Sequence, residues 1–193
     1  MAYPKDSSAS RQKLWYGRMM VALAIMGIIC RVITGCHTEN KPPVDTLFVL
    51  QTMISAVEKI PTGQCRSSSS DEGTKEFLSP DLLAGLYGEA SRKWIHDTDD
   101  AILDSAAVYL SEQRHPFELA VFRCKNEGDI SGGQGSVMGI CQSRLASVAR
   151  AWQGSEYESV VTHAIVIHEK QFVILIVAED PAPIITAAKK AIG

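Results

Sequence analysis

The chain has 193 residues, of which 46% are hydrophobic, and a net charge of −3, so it can build a real core without metal or disulfide staples. No basic stretch follows residue 36, which argues against nucleic acid as a partner. Of five cysteines, the three beyond residue 36 are odd in number and widely spaced, and no CxxC pair occurs, so there is no disulfide framework to read.

Residues 19–30 (MMVALAIMGIIC) carry no charge and follow four cations, Lys5, Arg11, Lys13 and Arg18, against one anion, Asp6. A basic front, a short apolar run and a small-residue exit form the pattern of an export signal. The run is shorter than the ~20 apolar residues of a membrane-spanning helix. Its exit, Ile33-Thr34-Gly35-Cys36, resembles the lipobox of bacterial lipoproteins. That resemblance implies a diacylglycerol thioether on Cys36, which becomes the first mature residue. Arg31 departs from the pattern, although near one end of the segment its stem can snorkel to the interface. The alternative is an uncleaved anchor: as a helix, Met19–Cys36 is roughly 27 Å long, slightly under the ~30 Å hydrocarbon core. Both readings keep the basic N-terminus inside and send the rest outside. A buried helix of a cytosolic protein fits less well with the cations abutting the apolar run.

Beyond the leader, Cys36–Gly193 holds 14 Lys and Arg against 21 Asp and Glu, a net charge of −7. An acidic module gains nothing from anionic headgroups, so its membrane contact is expected to come from the anchor alone. Cys65, Cys124 and Cys141 remain; Cys124 and Cys141 are expected as buried thiols, with a bond between them as the alternative.

His37–Pro43 reads as a polar spacer. Asp45 stands where a helix N-cap would, before Leu47, Leu50, Ile54 and Val57 at helical spacing, with Phe48 and Met53 widening the stripe. Pro61 and Gly63 stop that helix, and 64–73, with serines at 67–70, reads as a solvated loop. Ser79-Pro80-Asp81 opens a second helix with Leu82, Leu83, Leu86 and Tyr87 inward and Gly88 at its end. Asp97, Asp99 and Asp100, with Asp104 nearby, lack the EF-hand pattern and read as a solvated acidic turn rather than a calcium loop.

Residues 106–110 and 117–124 form a strand pair around a turn at 111–116. The glycine-rich 128–135 precedes a long helix with Val137, Ile140, Cys141, Leu145, Val148 and Trp152 on one stripe. Neither phosphate-loop pattern is present there, so a flexible helix entry is expected rather than a phosphate cradle. A second strand pair is expected at 160–168 and 172–178. Phe-Val-Ile-Leu-Ile-Val is apolar at every position, as in a strand covered on both faces. Asp180-Pro181 opens a last helix with Ile184, Ile185, Ala188 and Ile192 inward. The expected fold is α+β: one mostly antiparallel four-stranded sheet with helices on one side, or on both given the apolar strand.

Taken together, several segments resemble a family of small Gram-positive bacterial lipoproteins, a domain of unknown function numbered four-three-five-eight. They are the lipobox, the Asp45 helix, Leu82-Leu83-Ala84-Gly85-Leu86-Tyr87-Gly88, the strand from Glu118 to Phe122, the helix ending before Tyr157 and the paired C-terminal strands closing in Val177-Ala178-Glu179-Asp180. The likeness spans Val44–Gly193, with the serine-rich loop and glycine-rich helix entry as departures. It implies an address and a single domain, and brings no activity and no catalytic residues.

The residues themselves offer little chemistry. His163 and His168, five apart on one expected strand, would face opposite ways and could not share a metal through it. His163 is expected as a satisfied core or rim histidine. His96 beside Asp97, and Glu112 with His115, are acid–base pairs in expected loops. Glu118 could be a general base, with a surface glutamate at a strand start as the default. No HExxH or GxSxG motif is present. The expected organisation is a leader over 1–36 ending at lipidated Cys36, a spacer over 37–43 and one α+β domain over 44–193. The expected role is a non-catalytic binding or accessory module, held at the membrane by its lipid and meeting an envelope protein or ligand, with no cofactor, no metal and no nucleic acid. The alternative is an envelope hydrolase whose catalytic groups come from distant loops.

Overall fold

The computed structural model describes residues 44–95, 101–112, 114–131 and 133–193. The leader, the lipobox with Cys36, the spacer, and His96, Asp97, Asp99 and Asp100 lie outside the described residues.

Five strands form one sheet: β1 (Gly63–Ser67), β2 (Leu103–Ser111), β3 (Glu118–Cys124), β4 (Ile165–Glu169) and β5 (Phe172–Val177). Their order is β1-β2-β3-β5-β4, and every strand pairing is antiparallel. The sheet therefore has one strand more than the four expected. The addition is β1, inside the stretch read as a solvated loop. Its polar sequence gives no apolar alternation, but it pairs along β2 and closes that edge with only its last residue, Ser67, fully buried. Gly63 is dictated by this pairing, since a Cβ there would lie 2.4 Å from the Leu110 carbonyl oxygen and 2.7 Å from the Tyr109 ring.

Helices cover both faces. On one face lie α1 (Thr46–Ser55) and α6 (Ala182–Ile192), which pack Val49, Leu50, Met53, Ile184, Ala188 and Ile192 on Leu119, Val121, Ile174 and Ile176. On the other lie α2 (Pro80–Tyr87), the short α3 (Gly128–Ser131), α4 (Val137–Trp152) and α5 (Glu158–Thr162), with Trp94 after a 3-10 turn. This second layer meets Ala106, Val108, Ala120, Phe122, Val173 and Leu175. Burial from both sides is why β5 is apolar throughout: all six of its residues are buried.

Local chemistry sets the helix starts. Asp45 Oδ1 accepts from the Leu47 N–H, and Ser79 Oγ and Ser136 Oγ accept from the Leu82 and Gly139 N–H groups at 3.2 Å. Of the expected stripe of α1, Leu50 and Met53 are fully buried and Leu47, Ile54 and Val57 pack half-buried beside them, but the stripe centres on Thr46, Val49, Leu50 and Met53, so position 48 points away from it. Phe48 consequently faces solvent, 55% exposed. The expected strand over 160–168 is split: its first half coils into α5, whose Val160 and Val161 join the second layer, and only Ile165–Glu169 pairs with β5. Valines favour strands, but here their burial against α4 decides the conformation.

Candidate functional site

One charged group sits deep in the sheet. Glu118 opens β3 on the face shared with Ala120 and Phe122, and it is only 3% exposed. It is not the surface residue that its position at a strand start suggests. Arg144, on the inward side of α4, donates to it from Nε at 3.1 Å and from Nη2 at 2.7 Å. The Tyr87 hydroxyl, from the end of α2, donates at 2.8 Å. An unpaired carboxylate here would cost several kcal/mol, and three donors from two helices offset that. Burial, then the neighbouring Glu118 charge, pushes the Tyr87 hydroxyl well above its usual value, so it remains a donor. Burial alone would lower Arg144, but the charge and hydrogen bonds of Glu118 outweigh it and hold the guanidinium charged. Tyr87 also meets Phe122 edge-on at 5.2 Å and stacks with Trp94 at 6.0 Å, so the hydroxyl hangs from a rigid aromatic cluster.

Glu118 lies at the end of the sheet where β3 begins and β5 ends, and two clefts open there. The smaller, about 290 Å³, is lined by Leu86, Ser111, His115, Glu118, Arg144 and Trp152 among others. The larger, about 570 Å³, lies between the end of α1 and the start of α6, with Val57, Phe117 and Ile184 on its apolar side and Glu58, Glu179 and Asp180 at exposed positions. His115 lines both.

The His115 ring is fixed from two sides. Its Nδ1 accepts from the Phe117 N–H at 3.1 Å, which places the proton of the neutral ring on Nε2. The ring packs on Tyr157 at 4.5 Å, and Tyr157 meets Trp152 at 5.6 Å. Burial lowers the His115 pKa below its usual 6.5, favouring the neutral ring. Glu112, its expected acid–base partner, is exposed, and no hydrogen bond joins the two.

The remaining sequence candidates are dispersed. His163 caps the end of α5 at an exposed position, neither on a strand nor in the core. His168 is exposed on β4, with Nε2 2.7 Å from the Lys170 carbonyl oxygen. Asp104 lies in β2 facing Arg123, 3.4 Å away. Cys124 and Cys141 are buried free thiols, and Cys65 is free and half-buried. Burial, with Asp129 and Asp104 adding to it, pushes Cys124 up to about 12; burial also raises Cys141. Thiols so protonated are poor nucleophiles. Among the described residues, no group of three or more His, Cys, Asp and Glu stands together as a metal site, and no helix is long and apolar enough to cross a membrane.

The glycine-rich entry to α4 is occupied by its own backbone. Ser136 Oγ donates to the Gly133 carbonyl oxygen at 2.6 Å while accepting from Gly139. A Cβ on Gly139 would lie 2.4 Å from that same carbonyl oxygen. The glycines here let a loop fold tightly onto a helix.

The chain matches no family model, no curated protein and no solved structure.

Proposed function

We propose that this is an exported module, tethered to the membrane through a lipid on Cys36, that binds a ligand or envelope partner at the end of its sheet without chemically altering it. The tether rests on the leader and on the Ile33–Cys36 motif, and the likeness to the lipoprotein family rests on sequence segments alone. One chain holds only marginally at ~0.8 kcal/mol per buried methylene, whereas the two chains of a diacylglycerol hold firmly.

The non-catalytic role is supported chiefly by how the ionisable groups at the smaller cleft are used. Glu118 is saturated by Arg144 and Tyr87, and His115 Nδ1 is taken by the backbone. The hydroxyl of Ser111 is directed at the Thr62 carbonyl oxygen, 3.4 Å away, rather than at His115. The hydrogen-bonded nucleophile and base that acyl transfer requires is therefore not assembled among these described residues of the smaller cleft. What these groups do provide is fixed donors beside apolar walls, the usual make-up of a binding pocket.

Labelling cells with a fatty acid tests the tether. Wild-type protein is expected to carry the label and sediment with membranes, and Cys36→Ala to lose the label. Unlabelled wild-type protein would contradict lipidation, and unlabelled protein still held in membranes would point to a retained anchor instead.

A further inference from the structure

We propose that the smaller cleft, between α4 and the sheet end at Glu118, binds a neutral saccharide ring. The proposal deepens the binding-module reading and rests on it.

Charge narrows the ligand first. The two full charges lining the cleft, Arg144 and Glu118, face each other at 2.7 Å and compensate. An anion drawn to the guanidinium meets the carboxylate, and a cation meets the reverse. His115 adds no charge while its ring is neutral. The cleft therefore offers no net reward to an ionised ligand.

Unspent hydrogen-bonding capacity narrows it further. Arg144 uses Nε and Nη2 on Glu118, and its Nη1 has no partner among the described residues. His115 accepts at Nδ1, leaving the Nε2 proton. Ser111 Oγ makes one long bond of 3.4 Å and can both donate and accept. These are separate donors and a hydroxyl, spread round a space of about 290 Å³. Ring hydroxyls, each donor and acceptor at once, answer such a set; a lipid chain would leave it unpaired.

The walls supply the third condition. Trp152, half-buried, and Leu86 line the same cleft. A pyranose presents an apolar C–H face to an indole while its edge hydroxyls turn to the polar groups. The donors are also held before the ligand arrives. Glu118 fixes the guanidinium through two hydrogen bonds, and Phe117 and Tyr157 fix the imidazole. Ordering cost on binding is correspondingly small.

The test titrates the full-length chain, in a sugar-free zwitterionic detergent, with tri-N-acetylchitotriose, maltotriose and uridine, following binding by calorimetry. At least one trisaccharide is expected to bind saturably. Trp152→Ala is expected to weaken it about tenfold or more, the size of one lost stacking wall. Ser111→Ala, with its smaller volume change, is expected to weaken it several-fold, and Phe48→Ala, on the opposite face, to leave it unchanged. Failure of both trisaccharides to bind overturns the proposal. So does equal binding by folded Trp152→Ala and Ser111→Ala, or preference for uridine, which would make the occupant a planar base. None of these results touches the tether, which the Cys36→Ala labelling reads separately.

Discussion

The two faces of the sheet are built by different rules. Under α1 and α6 the buried side chains are mostly apolar; the exceptions are Tyr109, whose hydroxyl donates to the Pro61 carbonyl oxygen, and Thr46, whose hydroxyl is the one buried side-chain oxygen without a partner among the described residues. Under α2 and α4, the layer includes Glu118, Arg144, Tyr87, Cys124 and Cys141, and each charged group is answered. The first face contributes stability mainly through buried apolar area. The second carries an ion pair that an apolar substitute could match in energy. What the pair adds is direction: two helices and a strand locked in register beside an open cleft.

Four substitutions sharpen this contrast. The largest effect is expected from Leu175→Asp, at the centre of β5, where no donor waits for the carboxylate. It should consume most of the roughly 5–15 kcal/mol that holds a domain folded, and circular dichroism should show no cooperative melt. Glu118→Gln leaves the Arg144 charge uncompensated. It should cost about 3 kcal/mol, a fall in Tm on the order of 10 °C. A Tm within a degree of wild type would mean that the pair does not bind helix to sheet.

Thr46→Val should act in the opposite direction. Removing an unpaired buried hydroxyl while keeping the shape should stabilise by about 1 kcal/mol in denaturant titrations. A loss there would imply that the hydroxyl is satisfied in solution. The smallest effect concerns pH. Because the folded His115 pKa lies below its usual 6.5, the unfolded chain takes up the proton first as pH falls. Its contribution is complete above about pH 6.5 and is lost as pH falls through the lower, folded value. His115→Gln should therefore melt with a shallower acid dependence than wild type below that point. Identical slopes would place the ring in open water.

Much of the fold is legible in the residues because local rules dominate there. Asp45, Ser79 and Gly88 mark helix ends through backbone hydrogen bonds and dihedral angles that involve near neighbours only. The apolar run of β5 announces cover on both faces, and its burial on both sides follows. The strand β1 is invisible for the opposite reason. Its polar residues are recruited by β2, some forty residues later, through backbone bonds that leave no side-chain signature. The helix α5 is hidden because its valines favour a strand and only tertiary contact overrides them.

The pairing at Glu118 is remote in sequence, with Arg144 26 residues after it and Tyr87 31 before. A trace was nevertheless present. Arg144 falls on the inward stripe of α4, between Cys141 and Val148, and a cation on an apolar stripe demands a counter-charge. Glu118 shares the strand parity of Ala120 and Phe122, which puts it on a covered face. Joining the two needs the knowledge that α4 lies over β3. His115 gave less: a loop histidine beside Glu112 suggests that pair, whereas the fold gives it Phe117 and Tyr157.

Export through the leader would place the folded domain outside the cytoplasm. Alkaline phosphatase, which matures only outside the cytoplasm, can be fused after Gly193. The expected result is an active enzyme on intact cells, removable by external protease. An inactive fusion, with a fluorescent protein at the same position glowing from within and resisting that protease, would contradict it.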